Sequence, residues 1–569
     1  MEAMQVFSID YWGGMNARDQ ADQLVSRSHA QVEGGWRQFP GIGVESPDLL
    51  NIDYDPLGIR KRYGSASYQD LSAVMASGDS LVAGIEWTNA DSTTMELIVT
   101  TTRILTNASG TWGAINATSG ASVFAFTGAV TKASLVPLDG HMFIFTNGTG
   151  NYIQTTRNGT QIDPQMVSGN VYTDAYGSGT HTITGTWPTA SHLGAAVNSR
   201  LCAGEEGLLI EYTPMLHESS SGVWDLAGGG AGAFHVTSGE MLFMTNYIPK
   251  GGNRVTDEVL VVGTSGGIES TTGFEEYDRL NVEQGAEGVL NHKCYCKGNG
   301  WLIYLTRNKN LQGYNGQEVI DFGARLRTAI ATGPLDAMDL ATSETNAFAM
   351  YLPEKMQAVL WYSTATTKVN DSAAMVDFKM GEPVPGEPQR SAEARVRVVP
   401  WEIFNGADND WFIHGYVKSS AVIGIKANGT TWTMESGKND LATVPIDGRW
   451  KSPIVNGGAP FVTFQKQFIR LNLRVSQNGI WTARIDEYFD GESASAKNWS
   501  MNQYNSGTFI LDESLLDVGI LSTEGHVRAF DRIDKRAESF QFQFKNNDAD
   551  EDFVLRHANL LYSIGAQVN

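Results

Sequence analysis

Cysteine is scarce: Cys202, Cys294 and Cys296 are the only three in 569 residues. Three thiols cannot form a disulfide framework, and no second Cys pair answers the C-x-C of Cys294-Tyr295-Cys296, so a zinc ribbon or finger is excluded. His292 stands two residues before that pair, which leaves only a strained three-ligand arrangement. A reduced chain made in a cytoplasm is the simpler expectation. Charged residues are also few, at 18%, and long Ala/Glu/Lys/Leu runs are rare, which argues against a helical bundle or coiled coil. No apolar run reaches about 18 residues, so no membrane-spanning helix is expected. The opening MEAMQVFSIDYW has neither a basic n-region nor an apolar core with a cleavage site, so no signal peptide is expected.

Basic charge is in short supply as well. Lys and Arg total 41 against 63 acidic residues, for a net charge of −22. That balance opposes tight wrapping of nucleic acid, where affinity comes from neutralising phosphates. It suits a conduit whose walls do not hold DNA, and equally a protein kept soluble by its charge.

What is abundant is glycine, at 61, and aromatic residues, with 14 Trp and 19 Tyr. Short apolar segments alternate with Gly/Asn/Asp turns from Ser65 onward. Examples are DSLVAGIEW (79–87), MELIVTTTRILTNASGTW (95–112) and KCYCKGNGWLIYLTRNKNLQGYNGQEVIDFG (293–323). The unit is strand, polar turn, strand, which fits antiparallel hairpins. It recurs roughly every 45 to 60 residues, close to the period of four-stranded propeller blades. The expected fold is mainly β, a β-propeller-like arrangement of short antiparallel strands with an N-terminal arm and further β-rich segments at the C-terminal end. Stacked sandwiches or a β-helix would also accommodate such strands.

The expected organisation is an arm and docking segment over 1–64, with room for a short helix from Asn16 to Ser28. Propeller-like repeats follow over 65–445, with an insertion near 168–235. The strands of 446–569 complete the propeller or form a platform. MGEPVPGEPQR (380–390) reads as a linker. Phe540-Gln541-Phe542-Gln543-Phe544 reads as a half-buried strand, rings one way and amides the other.

No stretch makes a convincing active site. Gly263-Thr264-Ser265-Gly266-Gly267 has the form of a nucleophile elbow, but no helix follows it, so a hairpin turn is expected. NASGTW (107–112), GTW (185–187) and NGTTW (428–432) resemble the Asp-box turns of sialidase-like propellers without the aspartate. The acid pairs Glu205-Glu206 and Glu275-Glu276 point to opposite strand faces, unlike the paired carboxylates of glycosidases. Asp548, Asp550 and Asp552 space like a calcium loop, yet Phe553 stands where glycine is needed. We therefore expect no enzyme, no metal and no cofactor.

The most unusual stretch is NIDYDPLGIRKRYG (51–64). Asp55-Pro56 presets a turn, and Gly58 could supply a left-handed residue. Arg60, Lys61 and Arg62 then put basic side chains on both faces of an extended run. A solvated charge cluster is one reading and a docking surface is the other.

Together with Gly13, Gly14, Met15 and Asn16 upstream, the residues Gly58, Arg62 and Gly64 resemble the start of podovirus tail nozzle, or packaged-DNA stabilisation, proteins. The other end is similar to the same family: Arg536, the strand Phe540 to Phe544, an Asn546-to-Asp552 turn, then Phe553, Leu555, Leu560, Tyr562 and Gly565. The resemblance covers the two ends and not the chain between them. It implies a structural virion protein of the bacteriophage tail, a ring of six copies beneath the head-to-tail adaptor. Such a ring continues the DNA channel, retains packaged genome, passes it during ejection and carries tail fibres or a needle. Genomic DNA would cross its lumen without sequence-specific contact, and no membrane insertion is implied. On this reading Arg60, Lys61 and Arg62, flanked by Gly58 and Gly64, dock the arm onto an acidic neighbour. A carbohydrate-binding or glycan-cleaving propeller, or a propeller protein elsewhere in a phage tail, are the alternatives.

Overall fold

The computed structural model describes residues 4–567 apart from 20, 22, 26–28, 33–34, 39–43, 56–57, 90, 118–121, 139, 149–151, 156–160, 164–170, 174–179, 185–190, 205–206, 217–221, 226–230, 250–257, 276–277, 329, 380–395, 403–410, 458–461, 477–480, 504–525 and 552. The linker expected at 380–390, Glu205-Glu206, Glu276, Asp552 and the GTW turn at 185–187 therefore lie outside the described residues.

Seven small sheets, antiparallel but for one parallel pair in the second, follow one another among the described residues. Blade 1 begins with Leu81–Thr88, blade 2 with Ala133–Leu138 and blade 3 with Leu193–Val197. Blades 4 to 7 begin with Met241–Tyr247, Tyr295–Gly298, Phe348–Leu352 and His414–Lys418. In each blade the second and third strands pair outward from the first. The first strands of neighbouring blades lie side by side, and those of blades 7 and 1 also meet, so the ring is closed. Phe243 of blade 4 stacks on Tyr295 of blade 5 at 4.0 Å between ring centres. This is a β-propeller.

Its closure is by strand exchange. The fourth strand of blade 7 is Ser65–Asp70, which pairs with Thr430–Met434 across the whole length of the repeat region. Glu96 of blade 1 clasps the same junction, accepting from Tyr416 at 2.6 Å, Tyr68 at 2.7 Å and Lys418 at 2.7 Å. Radial packing explains the continuous apolar strands that alternation alone would not predict. HMFIFT (His141–Thr146), WLIYL (Trp301–Leu305) and QAVLWY (Gln357–Tyr362) are buried throughout, because a neighbouring blade covers each face. A separate three-stranded sheet, Val171–Thr173, Thr180–Thr184 and Gly222–Asp225, brackets the first strands of blade 3 in sequence.

The first 64 residues are not an irregular arm. Met4–Ile9 pairs in parallel with Gly35–Gln38 and antiparallel with the last strand, Val554–Gln567. That last strand also pairs with Phe464–Ser476, which in turn pairs with His526–Ala537. The arm fails to stay an arm because an isolated edge of unpaired backbone groups is costly, and the C-terminal strands complete it. Of the helix expected over Asn16 to Ser28, residues 24 and 25 are helical, and 20, 22 and 26–28 fall outside the described residues.

A second sheet runs Lys497–Gln503, Trp481–Phe489, Phe540–Asn546, Gly448–Lys451 and Leu49–Leu50. The two sheets face each other across an aromatic core. Phe468 of the first sheet lies 5.4 Å from Phe540 and 6.4 Å from Phe489 of the second. The strand Phe540–Asn546 is buried on both faces and not on one. Its glutamines are covered: Gln541 donates to the Ser452 carbonyl at 2.6 Å, and Gln543 donates to Asp48 at 2.9 Å and accepts from Tyr488 at 3.0 Å. Once hydrogen-bonded, buried amides are tolerated. We call this two-sheet unit the platform.

One carboxyl in the platform carries a pH dependence. Glu487 is fully buried, and burial, aided by a hydrogen bond with Asp531, pushes it up to about 7 from an ordinary 4.5. An acid raised in the folded state holds a proton there that the unfolded chain releases, so stability falls as pH rises from about 4.5 to 7. The expected loss is on the order of 2 kcal/mol. Glu487→Gln should flatten the urea midpoint between pH 5 and 8. An equally steep profile in the variant would assign the dependence to another group.

Candidate functional site

The basic run is where propeller and platform are joined. Gly58–Lys61 pairs antiparallel with Ile52–Asp55 and with the last strand, through Val554 opposite Arg60 and Leu555 opposite Ile59. Arg62 is buried and grips Asp440 with two bonds, NH1 to Oδ1 at 2.7 Å and NH2 to Oδ2 at 2.5 Å. Its Nε donates to Asn51 Oδ1 at 3.0 Å, and its plane lies 4.8 Å from the Trp411 ring and 5.4 Å from that of Trp401. Lys61, also buried, donates to Asn546 Oδ1 at 2.8 Å and to the Asp548 carbonyl at 2.9 Å. Arg60 is half-buried, with its guanidinium 3.8 Å from the Tyr63 ring.

Of the docking surface expected at Arg60, Lys61 and Arg62, these contacts take Lys61 and Arg62 out of reach of a partner, while Arg60 stays half-buried. Lys61 and Arg62 are 1% and 3% exposed, and their charges are spent within the chain. The glycines have a steric role. Gly58 is not left-handed; it lies in a strand, where a Cβ would come within 2.4 Å of the Leu555 carbonyl oxygen. At Gly64 the same atom would come within 1.8 Å of the Asn439 carbonyl oxygen. Glycine is needed here for close approach of backbones.

The upstream motif enters the same seam. Trp12–Met15 runs beside Val44–Ser46, and a Cβ on Gly14 would meet Val398 N of blade 6 at 2.5 Å. Tyr54 donates to the Gly13 carbonyl at 2.9 Å, and Asn16 donates to Glu45 at 2.8 Å. Glu45 is in turn ion-paired with buried Arg325 at 2.8 Å. Trp12 packs edge-on against Trp450 at 4.8 Å and donates to the Arg556 carbonyl at 3.2 Å. A second charged cluster lies next to it: Lys355 bridges Asp53, at 2.8 Å, and Glu435, while Gln357 joins Asp53 at 2.6 Å to Asp377 at 2.7 Å. Burial acts to raise the Asp53 carboxyl, but Lys355 and Lys379 together hold it below the usual carboxylate value.

The sequence marked Asn16, Asp53, Arg62 and Asp550 but not the residues that answer them. Asp440, Glu45, Arg325, Lys355 and Glu435 had no local signal, because each lies far along the chain from the residue it meets. An isolated Arg in a strand, or an isolated acid in a turn, is indistinguishable from a solvated one until its partner is placed.

The other candidates are accounted for locally. Gly263 to Gly267 is a hairpin turn between Val259–Thr264 and Ile268–Thr271, closed by Thr264 N to the Gly267 carbonyl at 2.8 Å and by Gly267 N to Thr264 Oγ1 at 2.9 Å. A strand follows it, not a helix. In NASGTW and NGTTW, Gly110 and Gly429 take φ values of +83° and +94°, while Trp112 and Trp432 pack half-buried against the core. Asp550 exchanges hydrogen bonds with Asn439, at 2.8 and 3.0 Å, and so serves the seam. All three cysteines are buried free thiols, and burial raises Cys294 to about 12. Among the described residues no three His, Cys, Asp or Glu side chains converge as a metal site, and no helix is long and apolar enough to cross a membrane.

No family model matches the chain, and no curated protein matches it. Among solved structures it is similar to one described as "Crystal Structure of Mitotic Checkpoint Complex", at 10% identity and a TM-score of 0.35, covering 67% of this chain and 96% of that one. It is similar also to the Neurospora crassa Pan2 WD40 domain, at 9% identity and a TM-score of 0.32, with the same two coverages. Overlaps this loose carry nothing about partners or activity. The class of protein is defined by its own strand order: among the described residues, a seven-sheet β-propeller whose two chain ends build one platform.

Proposed function

We propose that this chain is a structural virion protein, a subunit of a phage tail nozzle that extends the DNA channel beneath a head-to-tail adaptor. On this reading copies of the chain close into a ring by heterologous contacts, six in the family that the two ends resemble. The ring retains packaged genome, passes it during ejection and carries fibres or a needle.

One observation supports the reading above the rest. The two motifs that carry the resemblance lie some 500 residues apart in sequence and meet in space. Gly58 packs on Leu555, Arg60 pairs opposite Val554, and Lys61 reaches Asn546 and Asp548 in the C-terminal turn. Gly64 and Arg62 close on the neighbouring hairpin at Asn439 and Asp440. Two coincidental matches would have no reason to form one structural unit. The seam residues act within the subunit, so docking to neighbours falls to other surfaces.

Mass photometry and negative-stain imaging of the purified chain, alone and with its adaptor, test the proposal. A 61.9 kDa monomer that forms a closed ring with a central opening on meeting the adaptor is the expected result. A chain that stays monomeric, ignores the adaptor and binds or cleaves a glycan would move the assignment to a carbohydrate propeller.

A further inference from the structure

The first platform sheet has one covered face and one open face. Phe7, Leu560 and Leu471 stand opposite one another on adjacent strands and are buried toward the second sheet. Successive side chains alternate across a strand, so the residues between them point away from that core. On the open face one row runs in register across six strands, as Val32, Gly35, Val6, Leu561, Arg470 and Arg532. A second row runs Met4, Ser563, Gln467 and Arg536.

The open face is divided chemically. Met4, Val6 and Val32 on one side are 54%, 37% and 44% exposed. The other side is basic. The Arg532 side chain is 81% exposed, Arg536 is exposed, and Arg470 is half-buried directly opposite Arg532. Two acids sit beside them. Asp534 pairs with Arg532 at 3.4 Å, both side chains more than half exposed, and Asp10 pairs with His557 at 2.7 Å. An ion pair as open as Arg532–Asp534 is worth little, so a partner's carboxylate can compete for the guanidinium. Arg536 donates to a neutral acceptor, Gln467 Oε1, at 3.2 Å. Five strand spacings make the face about 24 Å wide, the scale of a protein contact and more than a small ligand covers.

We infer that this open sheet face is a contact between subunits, and that its occupant is the acidic propeller surface of a second copy of this chain. It rests on the ring assembly proposed above and names a surface that builds it. Charge complementarity selects the occupant. Residues 65–445 hold 38 acidic residues against 22 basic, so the guanidinium groups of one copy are drawn to the propeller of the next. A two-fold contact of the face with itself would bring no acidic surface to those groups. The contact is therefore heterologous, the kind that closes into a ring. The apolar half favours protein over nucleic acid. Met and Arg are both enriched where proteins meet, whereas a phosphate backbone is held by charge alone and gains nothing from Met4, Val6 and Val32.

Mass photometry of the full chain, alone and with the adaptor, tests this on the unmodified protein, Arg532→Glu/Arg536→Glu and Val6→Asp. The substituted side chains are exposed, so the variants should melt with the unmodified chain. Should Val6→Asp fail to fold, Val32→Asp on the edge strand replaces it. Expected are rings from the unmodified chain that loosen as sodium chloride is raised, and assembly at least about tenfold weaker in each variant. Met4 should be oxidised by peroxide in the monomer and protected in the ring. If the unmodified chain forms rings and the variants assemble equally well, or Met4 is oxidised alike in ring and monomer, this contact is overturned and the ring reading stands. An unmodified chain that never assembles overturns both. Variants that assemble normally but lose binding to double-stranded DNA overturn the contact and assign the basic half to nucleic acid.

Discussion

Arg62→Ala is expected to destabilise the protein by about 3–5 kcal/mol, the range for breaking a buried, hydrogen-bonded ion pair from one side. The truncation would leave Asp440 buried with no cation, Asn51 Oδ1 without the Arg62 donor, and a gap between Trp401 and Trp411. Arg62 and Asp440 have side chains only 2% and 1% exposed, so water cannot replace the missing partner without opening the seam. Arg62→Lys should recover little, since an ammonium cannot make the two parallel bonds that the guanidinium makes. Urea denaturation followed by tryptophan fluorescence would measure the effect. A paired replacement, Arg62→Met with Asp440→Leu, should cost less than either single change, because no charge is then stranded. A loss below about 1 kcal/mol for Arg62→Ala would mean that the seam is looser in solution than these contacts imply.

Gly64→Ala is expected to be as damaging or worse, at about 3 kcal/mol or more, through overpacking and not through lost charge. The obstacle is backbone: the added methyl would sit 1.8 Å from the Asn439 carbonyl oxygen. Asn439 cannot easily move, being tied to Asp550 on one side and, through Asp440, to Arg62 on the other. Gly78→Ala is the control. That glycine has φ +83° and nothing within 4 Å of the added atom, so only the left-handed backbone penalty of about 1 kcal/mol applies. If both variants melt alike, backbone conformation and not close approach sets the cost at Gly64.

The Gly58-to-Gly64 stretch shows how far local reading reaches. Its composition marked it as unusual, and its glycines do lie against neighbouring backbone, with Lys61 and Arg62 buried beside them. The reason was misread. Three basic residues in an extended run look like a surface from sequence, because nothing nearby reports that Asp440, Asn546 and Asp548 will close over them. The Phe540-to-Phe544 strand was misread in the same way: alternation implies one wet face, but Ser452, Asp48 and Tyr488 arrive from elsewhere to satisfy the glutamines.

What the sequence determined by itself was the mainly β class and the strand-and-turn repeat. Those properties are local: period-two patterning, turn residues and blade-length spacing are all written within tens of residues. Closure of the ring by Ser65–Asp70 and the weaving of the first 64 residues into the last strand were decided only by the tertiary structure. Each joins residues hundreds of positions apart. Their pairing is selected by the burial and charge balance of the whole assembly, which no window of sequence contains.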